Sequence, residues 1–369
     1  MASKIGVGII GASADRGWAR AAHFPALHGL SDFEIRALST TSRETAERSA
    51  RAFGVPLAFD NYHELLARPE IDLAVVAVNV TKHHEIASAA LGARKMVYCE
   101  WPLGRDLNEA SQLAAVARQS GVRTVIGLQG SFAPTVRYLR DLVAEGYVGE
   151  LLGSSIKGCG PDDVWAGVLE PPFEFHADIA NGATMLSIPA GHALEMLAYA
   201  LGDFVHVSAT LLARRGEALR VRDGARVPLT AYDEVAVTGE LENGALASLH
   251  YHGGVSAGPD FVWEINGTEG NLLVTAEHGY ANISPLEIHG GRGKEKSAPL
   301  SIPAHYRLAP ADMADVAVNV ASLYSQFARD IREGTTVAPD FDRALRRHIV
   351  LNAIETANAT GARQFVGVS

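Results

Sequence analysis

Gly8, Gly11, Ser13 and Gly17 span the end of a short apolar run, Ile5–Ile10, and lead into a helix-like stretch, Trp18–Gly29. A glycine-rich turn from strand to helix lets backbone N–H groups approach a pyrophosphate lying on the helix N-terminus. The dinucleotide fingerprint G-x-G-x-x-G is met only in part. The segment reads G-A-S-A-D-R-G, with Ser13 in place of the central glycine and Gly17 one residue late. Its position directly after a strand points to a dinucleotide, with Gly11, Ser13, Gly17 and Trp18 as contacts. The end of the next strand-like run, Phe33–Ser39, bears on which dinucleotide. NAD sites usually end that strand with an acid that binds the ribose 2′-hydroxyl. Here Ser39, Thr40, Thr41, Ser42 and Arg43 supply hydroxyls and one guanidinium, with no acid before Glu44. That set suits a 2′-phosphate, so NADP is expected in preference to NAD, with NAD also accepted. Ser42 equally fits the N-cap of the following helix.

Proton chemistry asks for another residue type. With an ordinary pKa of about 6.5, histidine can exchange a proton with a carbinol oxygen. His192 precedes an apolar helix-like stretch, Ala193–Leu201, where a lone histidine is more often a satisfied buried group. His176 falls in a long polar and aromatic segment with Asp162, Asp163, Trp165 and Asp178. Loops of that length in compact domains are commonly functional. Trp101 follows a strand-like Met96–Cys99 and reads as a core aromatic or as a stacking wall for a sugar or nicotinamide ring. His250 and His252 flank Tyr251 and share one strand face. No carboxylate or cysteine completes a ligand set around them, so no metal is expected.

The elements that must position these residues alternate at first. Strand-like runs at Ile5–Ile10, Phe33–Ser39, Leu57–Phe59, Ile71–Val78, Met96–Cys99 and Thr124–Leu128 are separated by helix-like stretches. Those helices are expected at Trp18–Gly29, Arg43–Phe53, Tyr62–Leu66, Lys82–Leu91 and Leu107–Ser120. The alternation predicts a doubly wound parallel sheet with its ligand crevice at the carboxyl ends of the strands. After Gln129 a helix at Pro134–Glu145 leads into strand-like runs from Leu151–Gly158 to Asn271–Thr275. Their apolar–polar alternation predicts a large, mostly antiparallel open sheet with one solvated or partner-facing side. Gly290–Ser297 reads as an exposed loop tip, and helices close the chain at Val316–Glu333 and Phe341–Thr360. The fold class is α/β, in two domains at 1–128 and 129–369, with the last helix expected to return to the first.

Composition narrows the function classes. Among 369 residues, 42 acids oppose 32 lysines and arginines for a net charge of −10, without a basic stripe. Direct binding of nucleic acid or an anionic membrane is therefore not expected. No apolar run approaches the ~20 residues of a membrane span. Two cysteines, Cys99 and Cys159, cannot build a disulfide framework. Met1-Ala-Ser-Lys runs into the first strand without a signal peptide, so a cytoplasmic location is expected.

Several short motifs together resemble the Gfo/Idh/MocA oxidoreductases along nearly the whole chain. They include Gly8-Ile-Ile-Gly-Ala, His23-Phe-Pro-Ala-Leu, Asp72-Leu-Ala-Val-Val-Ala-Val, Glu100-Trp-Pro-Leu, Gly127-Leu-Gln, Gly191-His192 and Glu264-Ile-Asn-Gly-Thr-Glu-Gly. The resemblance implies a Rossmann domain joined to an α/β domain whose open sheet often meets an oligomer partner, giving a homo-dimer or tetramer. It implies hydride transfer between NAD(P) and a sugar or polyol. It also implies cofactor contacts from Val78, Asn79, His83, Glu100, Trp101, Pro102 and Gln129, and substrate contacts from Trp101, Gln129, Asp163, Trp165 and Asp178. His192, helped by His176, is the expected proton carrier.

The departures from the family are equally specific. The family's E-K-P lysine is replaced by Trp101, and the Asp four residues before the histidine by Ile188. The Asn-Arg pair after the sixth strand is replaced by Gln129-Gly130. An indole donates one hydrogen bond but neither gives up nor accepts a proton at neutral pH. Gly17-Trp18-Ala19, Glu100-Trp101 and Leu128-Gln129-Gly130 further resemble the fungal galactose-regulon repressors and their bacterial relatives. That likeness implies a dinucleotide-binding regulator acting through a protein partner. A glycosidase with a tightly held NAD is a further alternative.

Overall fold

A computed structural model of the chain describes residues 4–160 and 164–367. Two compact units emerge. One is built from the residues up to Gln129 together with Arg307–Leu345, the other from Gly130–Tyr306 and the residues from Arg346 on.

In the first unit, six strands form one parallel sheet. They are β1 (Ile5–Ile10), β2 (Phe33–Ser39), β3 (Leu57–Phe59), β4 (Leu73–Val76), β5 (Met96–Glu100) and β6 (Thr124–Gly127), ordered β3-β2-β1-β4-β5-β6. The direction of winding reverses between β1 and β4, which opens a crevice at their carboxyl ends. All four residues of β4 are buried, as in a strand covered by helices on both faces. The connections carry α1 (Phe24–His28), α2 (Arg43–Phe53), α3 (Tyr62–Leu66), α4 (His83–Gly92) and α5 (Leu107–Ser120).

The stretch Trp18–Gly29 is not the single helix its sequence suggests. Ala19–His23 forms a π-turn closed by the Phe24 N–H on the Ala19 carbonyl, and α1 begins only at Phe24. Pro25 has no N–H to give the Ala21 carbonyl, so an α ladder cannot run through this point.

The later helices are α6 (Pro134–Ala144), α7 (Gly191–Leu201), α8 (Asp315–Glu333) and α9 (Phe341–Thr360). α8 packs on α1 and on the π-turn, which is why Arg307–Leu345 groups with the first unit. No helix of the described residues is long and apolar enough to cross a membrane.

The second unit holds β7 (Leu151–Gly160), β8 (Val168–Leu169), β9 (Phe204–Leu212), β10 (Glu217–Arg220), β11 (Ala225–Pro228) and β12 (Glu234–Leu241). It continues with β13 (Leu246–Gly253), β14 (Phe261–Gly267), β15 (Gly270–Ala276), β16 (Glu287–Arg292), β17 (Ala298–Pro299) and β18 (Gln364–Phe365). Nine of these form a sheet ordered β17-β16-β15-β14-β7-β13-β12-β9-β18. Every pairing in it is antiparallel except β7 with β13. Val235, Val237, Leu249, Tyr251, Trp263, Ile265, Leu272 and Val274 fill its buried face, while Thr238, His250 and Glu264 point the other way. The pair β10–β11 with β8 makes a separate small sheet.

Gly290, Gly291 and Arg292 lie within β16 rather than at a loop tip. A Cβ at Gly290 would come 2.8 Å from the Tyr147 hydroxyl and 2.9 Å from Leu272 Cδ2, so the glycine serves close packing, not a turn.

Arg347 of α9 is the charged anchor of this unit. Its side chain is 2% exposed, with Nε 3.3 Å from a Glu195 oxygen and Nη2 bonded to Asp203. Removing the guanidinium takes a buried cation away from two carboxylates in a place poor in water. The variant Arg347→Met is expected to lose about 3–5 kcal/mol of stability. Chemical unfolding followed by circular dichroism reads this directly, and a loss under about 1 kcal/mol contradicts the anchor role.

Candidate functional site

In the first unit, the carboxyl ends of β1, β2, β4, β5 and β6 meet. Gly11 has φ +96°, and a Cβ on it would sit 2.4 Å from the Ala77 carbonyl oxygen and 2.8 Å from Val78 Cγ1. Only glycine permits that approach. The N–H groups of Gly11 and Ala12 both donate to the Ser39 carbonyl, at 2.9 and 3.3 Å, tying the turn to the end of β2. The Ser13 hydroxyl accepts from Asp15 N at 3.3 Å, and the Ser49 hydroxyl accepts from Ala14 N at 3.0 Å. Gly17 also has φ +96°, with open space where a side chain would be. Trp18 keeps its buried indole N–H without a hydrogen-bond partner. The extra residue of the glycine turn thus runs straight into a π-turn, a winding that holds one residue more per hydrogen-bonded loop than an α-turn.

The segment after β2 is built around a cap. The Ser42 hydroxyl accepts from Thr45 N at 3.3 Å, and Thr40 Oγ1 lies 2.6 Å from Thr45 Oγ1. Thr41 is exposed. Arg43 is also exposed, and its guanidinium donates to Glu47 at 2.8 Å and to the Ala58 carbonyl at 3.0 Å. The cation is therefore on hand at this edge but shared with a carboxylate.

His83 fastens the ends of β4 and β5 to each other. Its Nδ1 is 2.7 Å from the Pro102 carbonyl and its Nε2 is 3.0 Å from the Val78 carbonyl. Burial lowers its pKa, although the two carbonyls and Glu100 pull the other way. Asn79, beside it, is exposed and accepts from the Thr81 hydroxyl. The Trp101–Pro102 bond is cis, and Trp101 is 6% exposed.

Glu100 ends β5 against β6, so close that a Cβ on Gly127 would lie 2.8 Å from both carboxylate oxygens. Its Oε1 is 3.0 Å from Nε2 of the fully buried His23. Neither of those two atoms makes an aligned hydrogen bond. The other ring nitrogen, Nδ1, lies 2.8 Å from the Tyr324 hydroxyl of α8. Burial, reinforced by the Glu100 charge, raises the Tyr324 and Tyr98 phenols well above their ordinary range. Gln129 follows β6 with its side chain buried and its Oε1 unpartnered.

In the second unit, His192 is the second residue of α7, directly after a π-turn, Leu186–Ala190, that contains Pro189 and Ile188. Its ring is 6% exposed, its Nδ1 has no partner, and burial pushes its pKa down to about 3. Met196, one turn on, has its sulfur 3.0 Å from where a Cβ on Gly130 would be. His176 stacks on Trp165 with ring centroids 5.5 Å apart, edge-on to Phe175, and burial lowers its pKa to about 4. Trp165 is fully buried and donates its indole N–H to the Tyr280 hydroxyl at 2.7 Å. Asp178 is exposed and caps a short helical turn through Ala180 N. Asp163 lies outside the described residues. His176 and Trp165 therefore come together, while Asp178 faces solvent and serves the backbone. No group of three or more metal-binding side chains occurs among the described residues.

Sequence reasoning overlooked His23 and Tyr324 as site residues. His23 stood in view within His23-Phe-Pro-Ala, whereas nothing in the spacing of α8 marks Tyr324.

Two family models match this chain. One, described as "Oxidoreductase family, NAD-binding Rossmann fold", covers residues 5–128, and the other, "Gal80p, C-terminal domain", covers 134–276. The residues up to 128 thus match the NAD-binding Rossmann domain of the Gfo/Idh/MocA oxidoreductases. The galactose/lactose metabolism regulatory protein GAL80 of Saccharomyces cerevisiae is 29% identical over 81% of this chain and 73% of its own length. A levoglucosan dehydrogenase of Pseudarthrobacter phenanthrenivorans is 26% identical over 66% of this chain and 65% of its own length. Among solved structures, a super-repressor mutant of Gal80p from Saccharomyces cerevisiae aligns with a TM-score of 0.88 at 25% identity, covering 99% of this chain and 98% of that one. A levoglucosan dehydrogenase in complex with NADH and levoglucosan shares the fold, with a TM-score of 0.85 at 20% identity over 99% of this chain and all of that one. The Rossmann unit, with its glycine turn and the unpartnered indole of Trp18, fits an NAD-type dinucleotide.

The buried His192 and the half-buried His176 set a pH dependence. Both are held below the ordinary 6.5, to about 3 for His192 and about 4 for His176, so the unfolded chain takes up their protons first. Stability is expected to be independent of these groups above about pH 6.5 and to fall as the pH drops from there toward 3. In the His192→Gln variant the slope of unfolding free energy against pH between 4 and 6 should flatten by up to one proton. An unchanged slope refutes the assignment.

Proposed function

We propose that this protein is a dinucleotide-dependent oxidoreductase acting on a carbinol carbon of a sugar or related polyol. The observation that carries this reading is His192, a buried histidine with an unpartnered ring nitrogen. The dinucleotide, when bound, would accept or donate hydride at the nicotinamide ring. Gly11, Ser13, Gly17 and Trp18 would hold its pyrophosphate side, and His83, by fixing the Val78 and Pro102 carbonyls, would keep the strand ends in place around it. His192 is kept neutral by burial, so its free Nδ1 accepts a hydrogen bond from a substrate hydroxyl and orients that hydroxyl. Trp101 supplies an apolar wall, and Gln129, with its unpartnered amide oxygen, a further acceptor for a polyol.

NADP is the preferred dinucleotide in this reading. No acid ends β2, and Arg43 is exposed beside Glu47. A homo-dimer or tetramer through the open sheet face, where Leu246 is 69% exposed, and a cytoplasmic location complete the reading.

A second reading has its own support. The match to the Gal80p C-terminal domain model, with Trp101 in the lysine position and Ile188 in the aspartate position, favours a dinucleotide-binding regulator that acts through a protein partner. Turnover separates the two. Purified protein incubated with NADP(H) or NAD(H) and a panel of sugars and polyols is expected to change absorbance at the nicotinamide band. His192→Ala should lower the rate about a hundredfold while leaving dinucleotide affinity intact. Dinucleotide binding without turnover of any substrate supports the regulator instead. Arg43→Ala should weaken NADP about fivefold to tenfold and leave NAD unchanged. Equal effects on both dinucleotides refute the NADP preference.

A further inference from the structure

The carboxylate of Glu100 is unusual for its surroundings. Its side chain is 12% exposed, its Oε1 is buried without an aligned hydrogen bond, and it lies flat against Gly127 of β6. Among the ion pairs of the described residues, its one partner is His23, and no lysine or arginine joins it. The sequence position where the family carries lysine, one residue on, is Trp101. The Tyr324 hydroxyl can donate to His23 Nδ1 at 2.8 Å, while Nε2 lies 3.0 Å from Oε1. Tyr324 stays protonated as that donor, since burial and Glu100 raise its pKa well above the ordinary value.

Strand order sets out the two halves of a dinucleotide along the carboxyl edge of the sheet. The pyrophosphate belongs at the turn after β1 and the adenosine ribose at the end of β2. The other half then extends to the opposite side of the switch point, toward β4 and β5, where Glu100 stands. An oxidised nicotinamide ring carries a positive charge, and a reduced one carries none.

We propose that Glu100, left without a neighbouring lysine, makes this site selective for the oxidised dinucleotide, with His23 as the positioning residue that holds its carboxylate. A buried anion attracts a cation far more strongly than one in water, so the charge difference between the two redox forms is felt as a difference in affinity. This inference rests on the reading of the first unit as a dinucleotide site. It adds a consequence, since a protein that binds the oxidised form more tightly stays loaded with it and can report the oxidised pool.

Equilibrium titration by intrinsic fluorescence tests it without any turnover, using full-length protein and NADP+ and NADPH separately. Wild type is expected to bind NADP+ about tenfold more tightly than NADPH. Glu100→Gln should bring the two affinities within about twofold by weakening NADP+ alone. His23→Gln should reduce the ratio in the same sense but less. Equal or tighter binding of NADPH by wild type overturns the proposal, even if the Glu100 variant does not fold. An unchanged ratio in a folded Glu100→Gln variant overturns it too. Failure of wild type to bind either form is a different result, and it removes the dinucleotide reading itself.

Discussion

A carboxylate at the end of β5, with one oxygen buried, ties distant parts of the first unit together. Glu100 rests on the backbone of Gly127, where any side chain would collide with it, and faces His23 at 3.0 Å. His23 in turn meets Tyr324, which stacks on Tyr98 with centroids 4.8 Å apart. One polar contact thus joins β5, β6, the π-turn after the glycine loop, and α8, elements separated by up to three hundred residues of chain. Desolvating such a group is costly unless its surroundings are fixed. The packing of α8 on α1 and the π-turn supplies that fixity.

Both π-turns among the described residues lead directly to a histidine of interest. Ala19–His23 ends on His23, and Leu186–Ala190 is followed at once by Gly191 and His192. In each case a proline, Pro25 or Pro189, removes an N–H that an α ladder would need. The wider turn then rotates the following residues relative to an unbroken helix. His192 is thereby buried with a free ring nitrogen and no acid beside it to raise its pKa. Trp101 and Ile188 stand at the sequence positions where the resembling family carries lysine and aspartate.

Most elements were legible in the sequence because each has a local cause. Arg43–Phe53, Leu107–Ser120 and Phe341–Thr360 are helices over the expected residues, marked by Ser42 and Asp106 as caps and Gly54 and Gly121 as stops. The alternating strands of the large sheet were equally plain. The short strands β8, β10, β11, β17 and β18 were not, since two to four half-exposed residues carry no periodicity to read. β16 was missed for another reason: its glycines imitate a loop while serving close packing against Tyr147 and Leu272. The parallel pairing of β7 with β13 also left no trace in pattern, because alternation along a strand is blind to its neighbour's direction.

The sequence by itself determined the parallel sheet, the glycine turn and the family resemblance, because periodicity, caps and motifs act over a few neighbouring residues. Only the tertiary structure decided that Trp165 and His176 form a buried stack, that Asp178 serves a turn, and that Arg43 is shared with Glu47. The partnership of Glu100 with His23 and Tyr324 was likewise decided there. Charge, burial and hydrogen bonding at those positions depend on side chains that meet from distant parts of the chain, and no local spacing encodes such a meeting.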